Sequence, residues 1–167
     1  MRYFASAVAA AAALMITIAI TPARAETAQD KAALSGLDEV KVAFDLQNGN
    51  SATLLKQLEV IEETRQSLIK QGVKPDLVIT FRGPATKLVQ TDQSQISAED
   101  RENAAKIAEK INALHAAEGV AGIEQCGVAV RLAGTKPENV LPGVKVVGNG
   151  WISLMAYQAK GYGYIAP

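Results

Sequence analysis

With one cysteine in 167 residues, the chain cannot close an intramolecular disulfide. Its one histidine, His115, lies far from that cysteine in sequence, so a structural zinc set of Cys and His ligands is not expected. No Gly-x-Ser-x-Gly elbow and no Gly-x-Gly-x-x-Gly fingerprint occurs, which argues against hydrolase and dinucleotide-binding readings. Neither sign of charge dominates, with 17 basic residues against 17 acidic ones. That balance leaves no nucleic-acid footprint and no polybasic membrane patch. No internal repeat is visible, and no metal or cofactor is expected.

One long hydrophobic run is present, at the amino terminus. Met1-Arg2 is a short basic start, Phe4 to Ile20 is apolar and alanine-rich, and Pro22 precedes Ala23-Arg24-Ala25. This is the pattern of a secretory signal peptide over residues 1–25, cleaved before Glu26. The expected location is therefore periplasmic or secreted, with no membrane attachment after cleavage. Removing Arg2 and Arg24 leaves 15 basic against 17 acidic residues, a net charge of −2 over 142 residues. Residues 26–38 are polar and small and read as a flexible leader. Residues 39–167 suit one α/β domain with a single core.

Strand and helix signals alternate through that domain. Val40–Leu46 is a short apolar run closed by the turn cluster Asn48-Gly49-Asn50. From Ala52 to Gln71, Leu54, Leu55, Leu58, Ile61, Leu68 and Ile69 recur at helical spacing. Leu77–Phe81 is a continuous apolar run, the mark of a buried parallel strand, and Arg82-Gly83-Pro84 ends it. Ser97 is an N-cap for a helix to about Ala117, with Ala105, Ile107, Ala108, Ile111 and Leu114 on its apolar side. His115 falls near the end of that helix, where the dipole favours it. Strand three ends at Gln125, beside Cys126, and a short helix runs from Gly127 to about Ala133. Val144–Val147, Trp151–Lys160 and Tyr162–Ile165 read as strand, helix and strand. The pattern predicts a three-layer α/β/α sandwich with a mainly parallel five-stranded sheet, flavodoxin-like in appearance. In such sheets, ligands sit outside the carboxyl ends of the strands.

Cys126 lies at such an end. A lone thiol in an oxidising compartment invites chemistry unless it is buried or used. Its strand-to-helix position faces a helix amino terminus, which favours a thiolate, and at least partial accessibility is expected. Asn48, Gly49, Asn50, Arg82, Gly83 and Gly127 are the candidate binding residues around it. A flavodoxin-like strand order would set strands one and three side by side and bring Asn48 near Cys126. Arg82 is the better placed of two arginines, Arg82 and Arg131, to face the thiol. The Asn48 loop faintly resembles a flavin phosphate loop but lacks its hydroxyl residues. Trp151, Met155 and Tyr157 on the last helix fit either core packing or an oligomer interface or pocket wall.

Several stretches together resemble the DsrE/DsrF-like family. They are Val42–Asp45, Val78–Ala85, Cys126 opening a helix, Leu141–Val147, Gln158–Tyr162 and the ending Tyr162–Pro167. The resemblance covers nearly all of the chain after the signal. It implies a small α/β subunit assembling as a trimer or hexamer. It also implies a persulfide carried on the cysteine that ends strand three, here Cys126, and a sulfur donor or acceptor protein as partner. The family's relay members are cytoplasmic, whereas this chain carries an export signal. The alternative reading is an oligomeric small-ligand binding module in which Cys126 is a small apolar side chain.

Overall fold

A computed structural model describes residues 30–167. The expected signal peptide, its expected cleavage site and the first residues of the expected leader lie outside the described residues. Residues 31–36 form exposed turns before the first strand.

Five strands make one sheet in which every pairing is parallel: β1 (Glu39–Leu46), β2 (Lys74–Phe81), β3 (Val120–Cys126), β4 (Lys145–Val147) and β5 (Gly163–Ile165). Helices α1 (Ser51–Lys70), α2 (Ala98–His115), α3 (Gly127–Ala133) and α4 (Gly150–Ala159) connect them, and a 3₁₀ turn, Gly83–Leu88, follows β2. Side-chain caps start three of these helices. Asn50 Oδ1 accepts from the Thr53 N–H, Ser97 from Asp100, and Asn149 from Trp151. Each satisfies a backbone donor that the first turn leaves open.

The strand order is β4-β3-β2-β1-β5. This differs from the flavodoxin-like order, because β2 lies between β1 and β3 and separates Asn48 from a direct approach to Cys126. Alternation along the strands explains the two faces. Val42, Phe44 and Leu46, with Leu77, Ile79 and Phe81, point one way into the core beneath α1 and α2. From α1 come Leu54, Leu58 and Ile61, and from α2 Ile107, Ile111 and Leu114. Ala104, not Ala105, completes the buried stripe of α2, since it lies three residues before Ile107. Ile69 of α1 is exposed.

The opposite face carries polar residues around the small apolar pair Ala43 and Val78 and, among the described helices, is covered by α4. Lys41 pairs with Asp76 across the strands, and Asp45, Thr80 and Glu124 stand in one row over β1, β2 and β3. This division follows from handedness. Three right-handed steps in one direction place their connections on one face, and the return from β4 across the sheet to β5 places α4 on the other. The chain therefore leaves β3 toward one face and β4 toward the other. The carboxyl ends of β3 and β4 are a topological switch point, where open α/β sheets form their crevices. No helix among the described residues is long and apolar enough to cross a membrane.

Candidate functional site

Cys126 is the last residue of β3 and the N-cap of α3. The Gly150 N–H, first in α4, donates to its Sγ at 3.2 Å. The starts of two helices thus meet at one sulfur. Close packing makes this possible. A Cβ at Gly150 would stand 3.0 Å from Cys126 Cβ and 3.4 Å from Sγ. At Gly127 a Cβ would stand 2.8 Å from the Val147 carbonyl oxygen. Both glycines hold the β3–α3 and β4–α4 turns together, so Gly127 serves packing at this point.

The thiol is less open than the sequence suggests, with Cys126 only 5 % exposed. It lies in the wall of a cavity of about 710 Å³. Pro84 and Leu88 of the 3₁₀ turn, Ile96 before α2, and Val128 and Leu132 of α3 supply apolar walls. Lys87, Gln95, Asp100 and Asn149 supply polar groups. Hydrogen bonds from Ser51 and Ser97 hold the Asp100 carboxyl below the usual carboxylate range. Among the described residues, no group of three His, Cys, Asp or Glu side chains could hold a metal ion.

Arg82 also lines the cavity, but its charge is already engaged. Its Nε and Nη2 donate to the two oxygens of Asp45, each at 2.6 Å. This bidentate pair raises the Arg82 pKa, chiefly through the hydrogen bond to Asp45. Asp45 is 1 % exposed and also accepts from Tyr164 Oη at 2.6 Å and Gln47 at 3.1 Å. The Arg82 guanidinium then lies 5.7 Å from the centre of the Trp151 ring. Arg82 is thus a bracket between the sheet and the start of α4, with Asp45 offsetting its charge.

Of the Asn48-Gly49-Asn50 loop, only Gly49 lines the cavity. Asn48 Oδ1 accepts from the Asn50 N–H, and Asn50 caps α1, so both side chains are used in shaping the turn. Gly49 packs so tightly on Pro84 that a Cβ would stand 2.6 Å from Pro84 Cβ. Gly83, at φ +57°, takes the left-handed turn that brings Pro84 there. The first two strand-end loops therefore touch, and the cavity joins them to the third.

Sequence reading missed the polar layer beneath α4. Glu124 is buried two residues before Cys126 on the same side of β3. It accepts from Ser153 Oγ and, at 3.0 Å, from Tyr157 Oη. Asp76 accepts from Tyr162 Oη at 2.8 Å. Burial and the Glu124 carboxylate push the Tyr157 pKa up to about 12. Burial and Asp76 do the same for Tyr162, also to about 12. Three carboxylates on β1, β2 and β3 are each tied to a tyrosine of the last eleven residues. The only available signal was a charged residue inside each apolar strand. Thr80 Oγ1, between Asp45 and Glu124, is buried with no hydrogen-bond partner among the described residues.

Trp151 and Met155 face outward, 62 % and 59 % exposed, as does Ile152. Tyr157 turns inward instead. His115 ends α2 as expected, with its ring against Gly143.

The profile of the DsrE/DsrF-like family matches residues 41–167. An uncharacterized protein of Aquifex aeolicus (strain VF5) is 26 % identical over 126 residues, or 75 % of this chain. The chain spans about half of that relative, 55 % of its length. A protein of unknown function from Methanobacterium thermoautotrophicum, MTH1491, has a solved structure that superposes with a TM-score of 0.55. That match has 18 % identity and covers 77 % of this chain and 99 % of the other, a likeness of fold.

Proposed function

The chain belongs to the DsrE/DsrF-like family, a family associated with sulfur relay, and on that premise we propose that it carries sulfur as a persulfide on Cys126. The observation that carries this reading is the position of the thiol. It sits at the switch point of the sheet, against a backbone N–H, in the wall of a cavity large enough for a reactant. The same N–H that meets Sγ is available to a persulfide sulfur there. The family's association with sulfur relay supports the chemistry.

The step is a sulfur transfer. The Cys126 thiolate attacks the outer sulfur of a donor persulfide, and the donor's S–S bond breaks. The donor leaves as a thiolate and takes up the proton that Cys126 gave. Cys126 then holds the sulfur until an acceptor thiol removes it by the same exchange. This makes the protein a carrier with a donor and an acceptor, and not a turnover enzyme.

The remaining parts of the reading are its setting and assembly. The amino-terminal segment supports export to the periplasm. The exposed Trp151, Ile152 and Met155 support a homotrimer or hexamer built through α4. The burial of Cys126 favours a second reading, a small-ligand binding module in which the thiol only packs. Incubation with polysulfide followed by intact mass separates the two. A carrier gains whole sulfur atoms, loses them on reduction and gains none as Cys126→Ser. A binding module gains none in either form.

A further inference from the structure

We infer that the sulfur donor is a small organic molecule with an apolar body and an anionic end, an alkyl or aryl persulfide or thiosulfonate, and not a protein-borne persulfide. This rests on the carrier reading given above. The cavity beside Cys126 is about 710 Å³, inside the range of roughly 300–1,000 Å³ that small-molecule sites occupy. Its walls are mainly apolar, from Pro84, Leu88, Ile96, Val128 and Leu132. A hydrophilic donor would leave those walls uncovered, and an apolar body would cover them.

Charge selects the other end of the donor. Two cations and one acid line the cavity. Arg82 is offset by Asp45. Asp100 is tied to the cap of α2 by Ser97. Lys87 is exposed and forms no ion pair among the described residues, so its ammonium is the charge left for a ligand. Reach argues against a protein donor. A cysteine sulfur stands one carbon from its backbone, and the residue it must meet is 5 % exposed in a cavity wall.

A thiosulfonate anion makes the step explicit. The Cys126 thiolate attacks the outer sulfur, and the sulfur–sulfur bond breaks with its electron pair leaving on a sulfinate. Cys126 keeps the outer sulfur as a persulfide anion, and the original thiol proton goes to solvent. No other oxidant or reductant is needed.

The test compares benzenethiosulfonate with the methanethiosulfonate anion, which carries the same reacting group on a minimal body. Loading is followed by intact mass, and each rate is divided by that with free cysteine. The expected result is a preference of about tenfold or more for the aryl donor, the scale of burying part of an aromatic ring. Leu132→Glu, at an exposed position of α3 that keeps the helix, should abolish the preference. Lys87→Gln should slow both anions alike. In Cys126→Ser, unreactive benzenesulfonate should raise the melting temperature and methanesulfonate should not.

Equal corrected rates overturn the inference and leave the carrier reading standing, because sulfur still loads. Faster loading from a persulfidated protein than from benzenethiosulfonate also overturns it. Loading from neither anion, nor from polysulfide, overturns the inference and the carrier reading together. Benzenesulfonate binding by Cys126→Ser would then mark a plain ligand site.

Discussion

Cys126 and Glu124 leave β3 on the same face, two residues apart, and one helix holds both. The amino terminus of α4 gives the Gly150 N–H to the sulfur, and its next turns give Ser153 and Tyr157 to the carboxylate. The carboxylate therefore sets the height of the helix above the thiol. Replacing it with an amide removes one acceptor oxygen and turns a donor toward a hydroxyl. Glu124→Gln should cost about 1–3 kcal/mol, the scale of a lost hydrogen bond to a charged group. Alkylation of Cys126 by a small reagent should be faster as α4 loosens. Unchanged stability and an unchanged rate would remove Glu124 from the account.

The bracket between Asp45 and Arg82 leads to a different expectation for Arg82 than its position in the sequence does. Arg82→Ala leaves the Asp45 carboxylate buried without its partner, which costs about 3–5 kcal/mol in comparable sites. Adding Asp45→Asn should recover part of that loss, so the two effects should not add. Urea denaturation of the four forms measures the coupling. Additive losses would mean that the pair does not act as a unit.

The tyrosine–carboxylate ties make the last segment sensitive to alkali. Tyr157 and Tyr162 are raised from 10.0 to about 12 in the folded chain. An unfolded tyrosine ionises near pH 10, and the folded one holds its proton to higher pH. Their contribution is therefore fully present below pH 10 and is lost as pH rises toward 12. Fluorescence of Trp151, the sole tryptophan, should report α4 leaving the sheet in that window. Tyr157→Phe combined with Tyr162→Phe should flatten the alkaline transition. An unaltered transition would place its origin elsewhere.

Much of the architecture was legible because it is local. Ser97 announces the start of α2, and Cys126 marks a strand-to-helix boundary, whereas the caps Asn50 and Asn149 read only as turn residues. Strand order was not legible, since it depends on which edges pair after the helices dock. The same holds for the layer beneath α4. Asp45 meets Arg82 across 37 residues and Tyr164 across 119, and no spacing rule reaches that far. The burial of Cys126 had the same cause, because α4 closes over it from 24 residues away. The 3₁₀ turn after β2 read only as a strand end, although it forms one wall of the cavity.

The proposed assembly would use the outward face of α4. Trp151, Ile152 and Met155 are exposed together on one short helix, a composition typical of interface cores. Light scattering at micromolar concentration should give a trimer or hexamer. Ile152→Asp together with Met155→Glu should yield monomers that keep their circular dichroism. A monomeric wild type would contradict the assembly without touching the thiol chemistry.

The central claim is that Cys126 carries sulfur, and the most direct measurement is the intact mass of protein isolated from the periplasm without reductant. The expected mass is that of the chain beginning at Glu26 plus whole sulfur atoms, which reduction removes and which Cys126→Ser never shows. The bare mass of that chain, unchanged after incubation with polysulfide, would contradict the claim and leave Cys126 as a packing residue in the wall of a binding cavity.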